Sequence, residues 1–243
     1  MKETQDTIFA DIPELRFVER DDARSIKSFV LRGTRLKGFQ VEAVRAYYHD
    51  YVIPYSGKMT DFDALFANGK PLIIEIGFGM GVATHLIARD RPEYNYLGIE
   101  VFLSGFTKLL DKIGKEGLTN VRLMRFDAVA VLSEMVGDST VAGFHIFFPD
   151  PWPKKRQHKR RLIQHEFATL LAQKLVPGGY IYAVTDWQEY ADQMVEVFDS
   201  VEGLTNPHGT FAPPVSWRPE TRFEQKGREK EHAINEVWVE KVR

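Results

Sequence analysis

The segment Phe147-Phe148-Pro149-Asp150-Pro151-Trp152-Pro153-Lys154-Lys155-Arg156-Gln157-His158-Lys159-Arg160-Arg161 concentrates the residue types best suited to chemistry. A carboxylate stands between two prolines, a tryptophan follows, and six of the eight residues 154–161 are Lys or Arg. Proline locks φ and lacks an N–H, so Pro149, Pro151 and Pro153 impose a stiff, non-helical turn that presents Asp150 rigidly. A carboxylate and an aromatic face suit a nucleobase, and a basic run suits a phosphate backbone. The pattern points to a site acting on a base within RNA or DNA, with Asp150 as the candidate catalytic group. Trp152 either stacks on that base or packs beneath the loop.

A second constellation is Glu75-Ile76-Gly77-Phe78-Gly79-Met80-Gly81. Glycines at such a place allow a tight turn and a close approach of backbone N–H groups to a ligand. The dinucleotide spacing G-x-G-x-x-G is not met, because Val82 occupies its last position. The pattern E-x-G-x-G-x-G instead resembles the first motif of class I S-adenosylmethionine-dependent methyltransferases, with Gly77, Gly79 and Gly81 at the cofactor. Glu75 is placed to bind water or the cationic amino end of such a cofactor. Acids also end the next three expected strands: Glu100, suited to both ribose hydroxyls; Asp127, suited to the adenine amino group; and Asp150.

Both constellations depend on a scaffold that repeats strand, loop and helix beyond Lys70. The patterning predicts strands over 71–76, 94–99, 121–126, 143–148 and 179–185. Helices are expected over 82–89, 103–113, 128–135, 162–175 and 189–200, with an earlier one over 40–47. Near-continuous apolar strands such as Leu72-Ile73-Ile74 imply burial on both faces, hence an α/β, doubly wound, mostly parallel sheet. The period-two pattern of residues 234–242 predicts an antiparallel closing strand. Residues 1–65 read as an N-terminal extension that could contact the nucleic acid, and residues 66–243 as the catalytic domain. Pro177-Gly178-Gly179 reads as a helix-to-strand turn.

Composition narrows the partners. A net charge of -2 excludes a globally basic nucleic-acid binder and leaves the tract at 154–161 to meet a polyanion. With no cysteine there is no disulfide, no thiolate metal site and no methylation through a covalent Cys adduct. No apolar run is long enough to span a bilayer and the first residues carry no signal-peptide pattern, so a cytoplasmic protein is expected. His158 and His165 lack metal-ligand spacing, and no metal is expected. His145 reads as a core residue, Asp186 alternatively as a helix cap, and Arg218, Arg222 and Arg228 as part of a solvated mixed face.

Taken over nearly its whole length, the chain resembles the bacterial tRNA (guanine-N7-)-methyltransferase family. The resemblance is carried by Ser28-Phe29-Val30-Leu31-Arg32, Pro54-Tyr55, the glycine loop, Pro149-Asp150-Pro151-Trp152-Pro153-Lys154 and Thr221-Arg222-Phe223-Glu224. It implies a seven-stranded Rossmann-like sheet, S-adenosyl-L-methionine as cofactor, and a guanine in the tRNA variable loop as acceptor, on a monomer or homodimer. It implies cofactor contacts at Glu75, Glu100, Asp127 and Asp150 and a catalytic role for Asp150. Substrate contacts are implied at Lys154, Asp186, Thr221, Arg222, Phe223 and Glu224, and tRNA contacts at Arg156, Gln157, His158, Lys159, Arg160 and Arg161.

Guanine N7 carries an in-plane lone pair and no proton, so methylation there needs no base to free the nucleophile. The expectation is therefore that Asp150 grips the guanine edge and supplies a field, with Glu224 or Asp186 sharing the grip. Three alternatives compete. An amino-methyltransferase would carry Asn/Asp-Pro-Pro-aromatic at the fourth strand end, a nucleotide oxidoreductase would carry the dinucleotide spacing, and a non-catalytic RNA-binding module would not need the strand-end acids.

Overall fold

In the computed structural model, residues 5–17, 27–31, 35–221, 224–225 and 233–242 are described. The N-terminal part forms α1 (Gln5–Asp11), a 3-10 turn (Pro13–Leu15), α2 (Gly38–Tyr51) and α3 (Phe62–Phe66). The alternation then runs β1 (Leu72–Ile76), α4 (Val82–Asp90), β2 (Asn95–Ile99), α5 (Leu103–Glu116), β3 (Val121–Met124), α6 (Ala128–Met135) and β4 (Val141–Phe147). After a 3-10 segment (Lys155–Arg160) come α7 (His165–Lys174), β5 (Leu175–Thr185), α8 (Gln188–Asp199), β6 (Leu204–Thr205) and β7 (Asn235–Lys241).

The seven strands lie in the order β3-β2-β1-β4-β5-β7-β6. β1 to β5 are parallel, and β7 runs antiparallel between β5 and β6. All five residues of β1 and of β2 are buried, as expected for near-continuous apolar strands in a sheet covered on both faces. Connections leave β1 and β4 toward opposite edges, so the sheet's switch point falls between them. A crevice opens there outside the carboxyl ends, which is where open α/β sheets bind ligands.

One face packs α3, α6, α7 and α8 around Ile74, Ile146 and Ile181. The other packs α1, α2, α4 and α5 around Ile73, Phe106 and Tyr182. The N-terminal helices are thus part of the main core. Gln40 on α2 donates to Thr107 Oγ1 of α5 at 2.7 Å and to the Ser104 carbonyl at 2.9 Å. Ile53 N donates to the Leu123 carbonyl at 2.9 Å, continuing the β3 edge.

Two local readings are corrected. Pro177-Gly178-Gly179 is a bulge inside β5, not the turn before it: Val141 and Gly143 pair with Leu175 and Tyr180, so the intervening residues loop out. Arg218 is no solvated residue, for its side chain is 5% exposed and bridges Glu224 at 2.6 Å and Glu236 at 2.8 Å. His145 is a core residue as expected, fully buried, with Nε2 3.0 Å from the Tyr180 hydroxyl. Burial, with Arg91 adding, pushes its pKa down to about 3, so it is neutral throughout the working range.

Candidate active site

The glycine loop links β1 to α4, with Gly77, Gly79 and Gly81 all in the left-handed region at φ 76°, 55° and 71°. Gly81 is also needed for space, because a Cβ there would lie 2.6 Å from the Leu109 side chain. Glu100 latches the loop from the end of β2: it accepts from Gly79 N at 2.6 Å, Val101 N at 2.7 Å and Phe102 N at 2.9 Å. Burial raises the pKa of Glu100, the three N–H groups oppose that rise, and the charge of Asp150 adds to it.

Glu75 lies beneath the loop, 2% exposed, and its Oε2 has no hydrogen-bond partner among the described residues. Burial, eased by the Thr84 hydroxyl and aggravated by Glu100, pushes its pKa up to about 8. A carboxyl raised this way stabilises the fold below its unfolded value of 4.5, and that contribution is lost as pH climbs through about 8. Glu75→Gln should therefore raise the melting temperature of the cofactor-free protein above that pH and change it little in acid, a difference that thermal melts across pH will read.

A cleft of about 200 Å³ opens at the switch point, walled by Gly77, Glu100, Asp127 and Asp150, with Ser28 and Phe29 among its other residues. Asp127 also caps α6, accepting from Ala130 N at 3.1 Å. Asp150 is exposed at the rim, on a loop in which Phe148 and Trp152 take left-handed φ of 52° and 46°. Such angles cost a non-glycine residue roughly 1–2 kcal/mol, and prolines at 149 and 151 hold the chain between them, with Pro153 following. Glu75, Glu100 and Asp150 couple in series through like-charge repulsion. A cation in or beside the cleft relieves that repulsion, so a ligand carrying a sulfonium and an ammonium fits the groups present.

The basic tract divides. Lys154, Lys155, Arg156 and Lys159 are exposed, while Gln157, His158 and Arg160 are half-buried. Arg161, expected at the tRNA, has a side chain 1% exposed. It donates to the Pro151 carbonyl at 2.8 Å and to Gln193 Oε1 at 2.6 Å, and lies over the Tyr190 ring at 4.9 Å. Arg160 also turns inward, donating to the carbonyls of Lys27 and Phe29, both at 3.0 Å. Trp152 packs under the loop, its indole N–H on the Ser28 carbonyl at 3.1 Å.

Among the described residues, the expected substrate residues Lys154, Asp186, Thr221 and Glu224 are not part of the cleft lining. Glu224, expected to share a grip on the base, is 3% exposed and pairs with Arg218 at 2.6 Å. Thr221 Oγ1 accepts from Glu224 N at 3.2 Å. Asp186 walls a separate groove with Trp187, Gln188, Glu189 and Ala233. It does not cap α8, whose N-cap is Trp187. Arg222 and Phe223, like Arg228, lie outside the described residues. Local pattern gave no sign of Gly105, where a Cβ would stand 1.8 Å from the Gly79 carbonyl oxygen. This glycine lets the Gly79 carbonyl rest against α5, as Gly81 does for the Leu109 side chain.

A family model described as "Putative methyltransferase" matches residues 69–237. The tRNA (guanine-N(7)-)-methyltransferase of Neisseria meningitidis serogroup B is 46% identical over 219 residues, spanning 90% of this chain and 92% of that protein. The enzyme of the same name from Nitrosospira multiformis is 46% identical over 221 residues, 91% of this chain and 95% of its own. Among solved structures, the 16S rRNA methyltransferase KamB superposes with a TM-score of 0.57 at 15% identity, over 76% of this chain and 95% of that one. At that identity the likeness shows the fold.

Proposed function

Because this chain belongs to the tRNA (guanine-N(7)-)-methyltransferase family, and so moves a methyl group from S-adenosyl-L-methionine to N7 of a guanine in tRNA, we propose that the switch-point cleft is where donor and base meet. The observation that carries this reading is the placement of Asp150 on the rim of a cleft whose floor is Glu100 and whose lip is Gly77. S-adenosyl-L-methionine supplies the electrophilic methyl group when bound. Glu75, Glu100 and Asp127, with the N–H groups of the glycine loop, are the groups suited to hold it.

Asp150 orients the guanine by accepting from its Watson–Crick edge, and its fixed charge favours the cation that forms on the purine. It takes no proton, since N7 has none to give. Phe29 and Phe126 exclude water from that side. The acceptor is a guanine of the variable loop, and the enzyme acts in the cytoplasm, where a chain without cysteines is at home. The substitution that tests this changes that guanine to adenine. Wild-type protein with methyl-labelled cofactor should convert unmodified tRNA to a product whose digest contains N7-methylguanosine, and should leave the substituted tRNA unlabelled. Label in an exocyclic amine would contradict the assignment.

The phosphate contacts belong to the exposed cations of the tract. Neutralising Lys155, Arg156 or Lys159 should weaken tRNA binding and flatten the slope of log affinity against log salt by roughly 0.7–0.9 per lost contact. Arg161→Gln should leave that slope unchanged and instead cost about 2–3 kcal/mol of stability, because it leaves the Pro151 carbonyl unmatched. Salt titrations and denaturant melts of the four variants separate the two classes.

A further inference from the structure

We propose that Arg160 is a positioning residue: with Trp152 it fastens the backbone of Lys27, Ser28 and Phe29 to the loop carrying Asp150, completing the wall of the methyl-transfer cleft. The identity of the reaction rests on the functional reading above; the contact does not.

Three consecutive carbonyls are held by this one loop. Lys27 O accepts from Arg160 Nε at 3.0 Å, Ser28 O from Trp152 Nε1 at 3.1 Å, and Phe29 O from Arg160 Nη2 at 3.0 Å. The Arg160 guanidinium carbon lies 3.9 Å from the centre of the Trp152 ring, so one planar group stacks and forks at once. A lysine ammonium has the charge but not the fork or the flat face. The far side of the strap is anchored apolarly. Phe29 meets Phe17 edge-on at 5.7 Å, Phe17 meets Phe126 at 5.7 Å, and Phe126 stacks on Tyr55 at 3.7 Å. Phe126 immediately precedes Asp127, so the strap is tied both to the end of β3 and to the loop after β4.

Ser28 and Phe29 face the same cleft as Glu100 and Asp150. Loss of the fork therefore wets the transfer site and loosens the Asp150 loop, while phosphate-facing cations nearby stay where they are. A phosphate ligand behaves in the opposite way: its loss weakens tRNA binding and leaves transfer within the bound complex alone.

The test compares Arg160→Lys, Arg160→Gln and Trp152→Phe with wild type in the full-length protein. Tryptic cleavage between Lys27 and Ser28 is followed by mass, single-turnover methyl transfer is measured at saturating cofactor and tRNA, and tRNA affinity is measured against salt. Both Arg160 variants should be cut at least about tenfold faster at that bond and transfer methyl at least about tenfold more slowly, the loss of a charge-assisted hydrogen bond being of that order. Their salt slope should match wild type, and Trp152→Phe should shift both rates less, in the same direction. Binding of S-adenosylhomocysteine counts the folded molecules, so rates are compared per active site. Wild-type rates in Arg160→Lys would overturn the proposal. So would a slope lower by about one unit in Arg160→Gln with transfer unchanged. If the glutamine variant folds poorly, the lysine and phenylalanine variants decide alone. Methylation by wild type at a position other than N7 would instead sink the functional reading, and the cleavage comparison would still decide the strap.

Discussion

Asparagine at position 150 is expected to slow methyl transfer by about a hundred- to a thousand-fold, the range seen when one preorganised polar group is removed from a transition state. Asp150→Asn keeps the shape of the side chain and the three surrounding prolines, and removes only the charge. Position 150 is exposed at the cleft rim, so the fold should be stable to within about 0.5 kcal/mol. Cofactor affinity should change little, because Glu75, Glu100, Asp127 and the glycine loop are untouched. Single-turnover rates with calorimetric cofactor binding check both halves. A rate equal to wild type would remove Asp150 from the chemistry, and a variant that binds no cofactor would make it a cofactor anchor.

Gly105→Ala should be nearly as damaging through a different route. Alanine favours an isolated helix by about 1 kcal/mol over glycine, which predicts a more stable α5 if helix propensity decides. A Cβ at 105 would stand 1.8 Å from the Gly79 carbonyl oxygen, and that atom is backbone and cannot swing aside. Gly79 is already held on its other side by Glu100 at 2.6 Å. Overpacking of this kind costs typically 1–3 kcal/mol and displaces whatever yields first. Here the glycine loop yields, so cofactor affinity should fall at least about a hundredfold, on top of a lower melting temperature. Gly114→Ala, also on α5, is the control. Its Cβ would meet the Tyr47 ring at 2.3 Å, far from the loop. It should lower stability while leaving cofactor affinity per folded molecule at the wild-type value.

The contrast between Gly105 and the loop glycines shows what local sequence can carry. Gly77, Gly79 and Gly81 announce themselves because a short glycine-rich stretch between an apolar strand and a helix has few physical uses. The strand-end acids were legible for the same reason: once β1 to β4 are placed by their apolar runs, Glu100, Asp127 and Asp150 fall at their ends. Gly105 sits within a helix and is a glycine because of an atom contributed from elsewhere in the chain.

The basic tract shows the same limit. Arg160 and Arg161 stand in an unbroken cationic run with Lys159, and nothing local separates them. Their fates are set by partners 133 residues away at Lys27 and 32 residues away at Gln193. Arg218 and Glu224 misled in the same way, as alternating charges that look solvated until Tyr182 and Glu236 are folded against them. Charge pattern reports charge, and whether a charge faces water is a tertiary property.

Asp150, on its proline-stiffened loop, is proposed to face both the methyl donor and the incoming purine. The structure of the protein with S-adenosylhomocysteine bound tests it most directly. The thioether sulfur should lie in the cleft walled by Gly77, Glu100 and Phe29, with the Asp150 carboxylate on the side from which a base enters. A ligand lodged instead in the cavity of about 900 Å³ that Ala130 and Ser133 of α6 and Glu166 and Thr169 of α7 line, with Asp150 turned away from the sulfur, would contradict it.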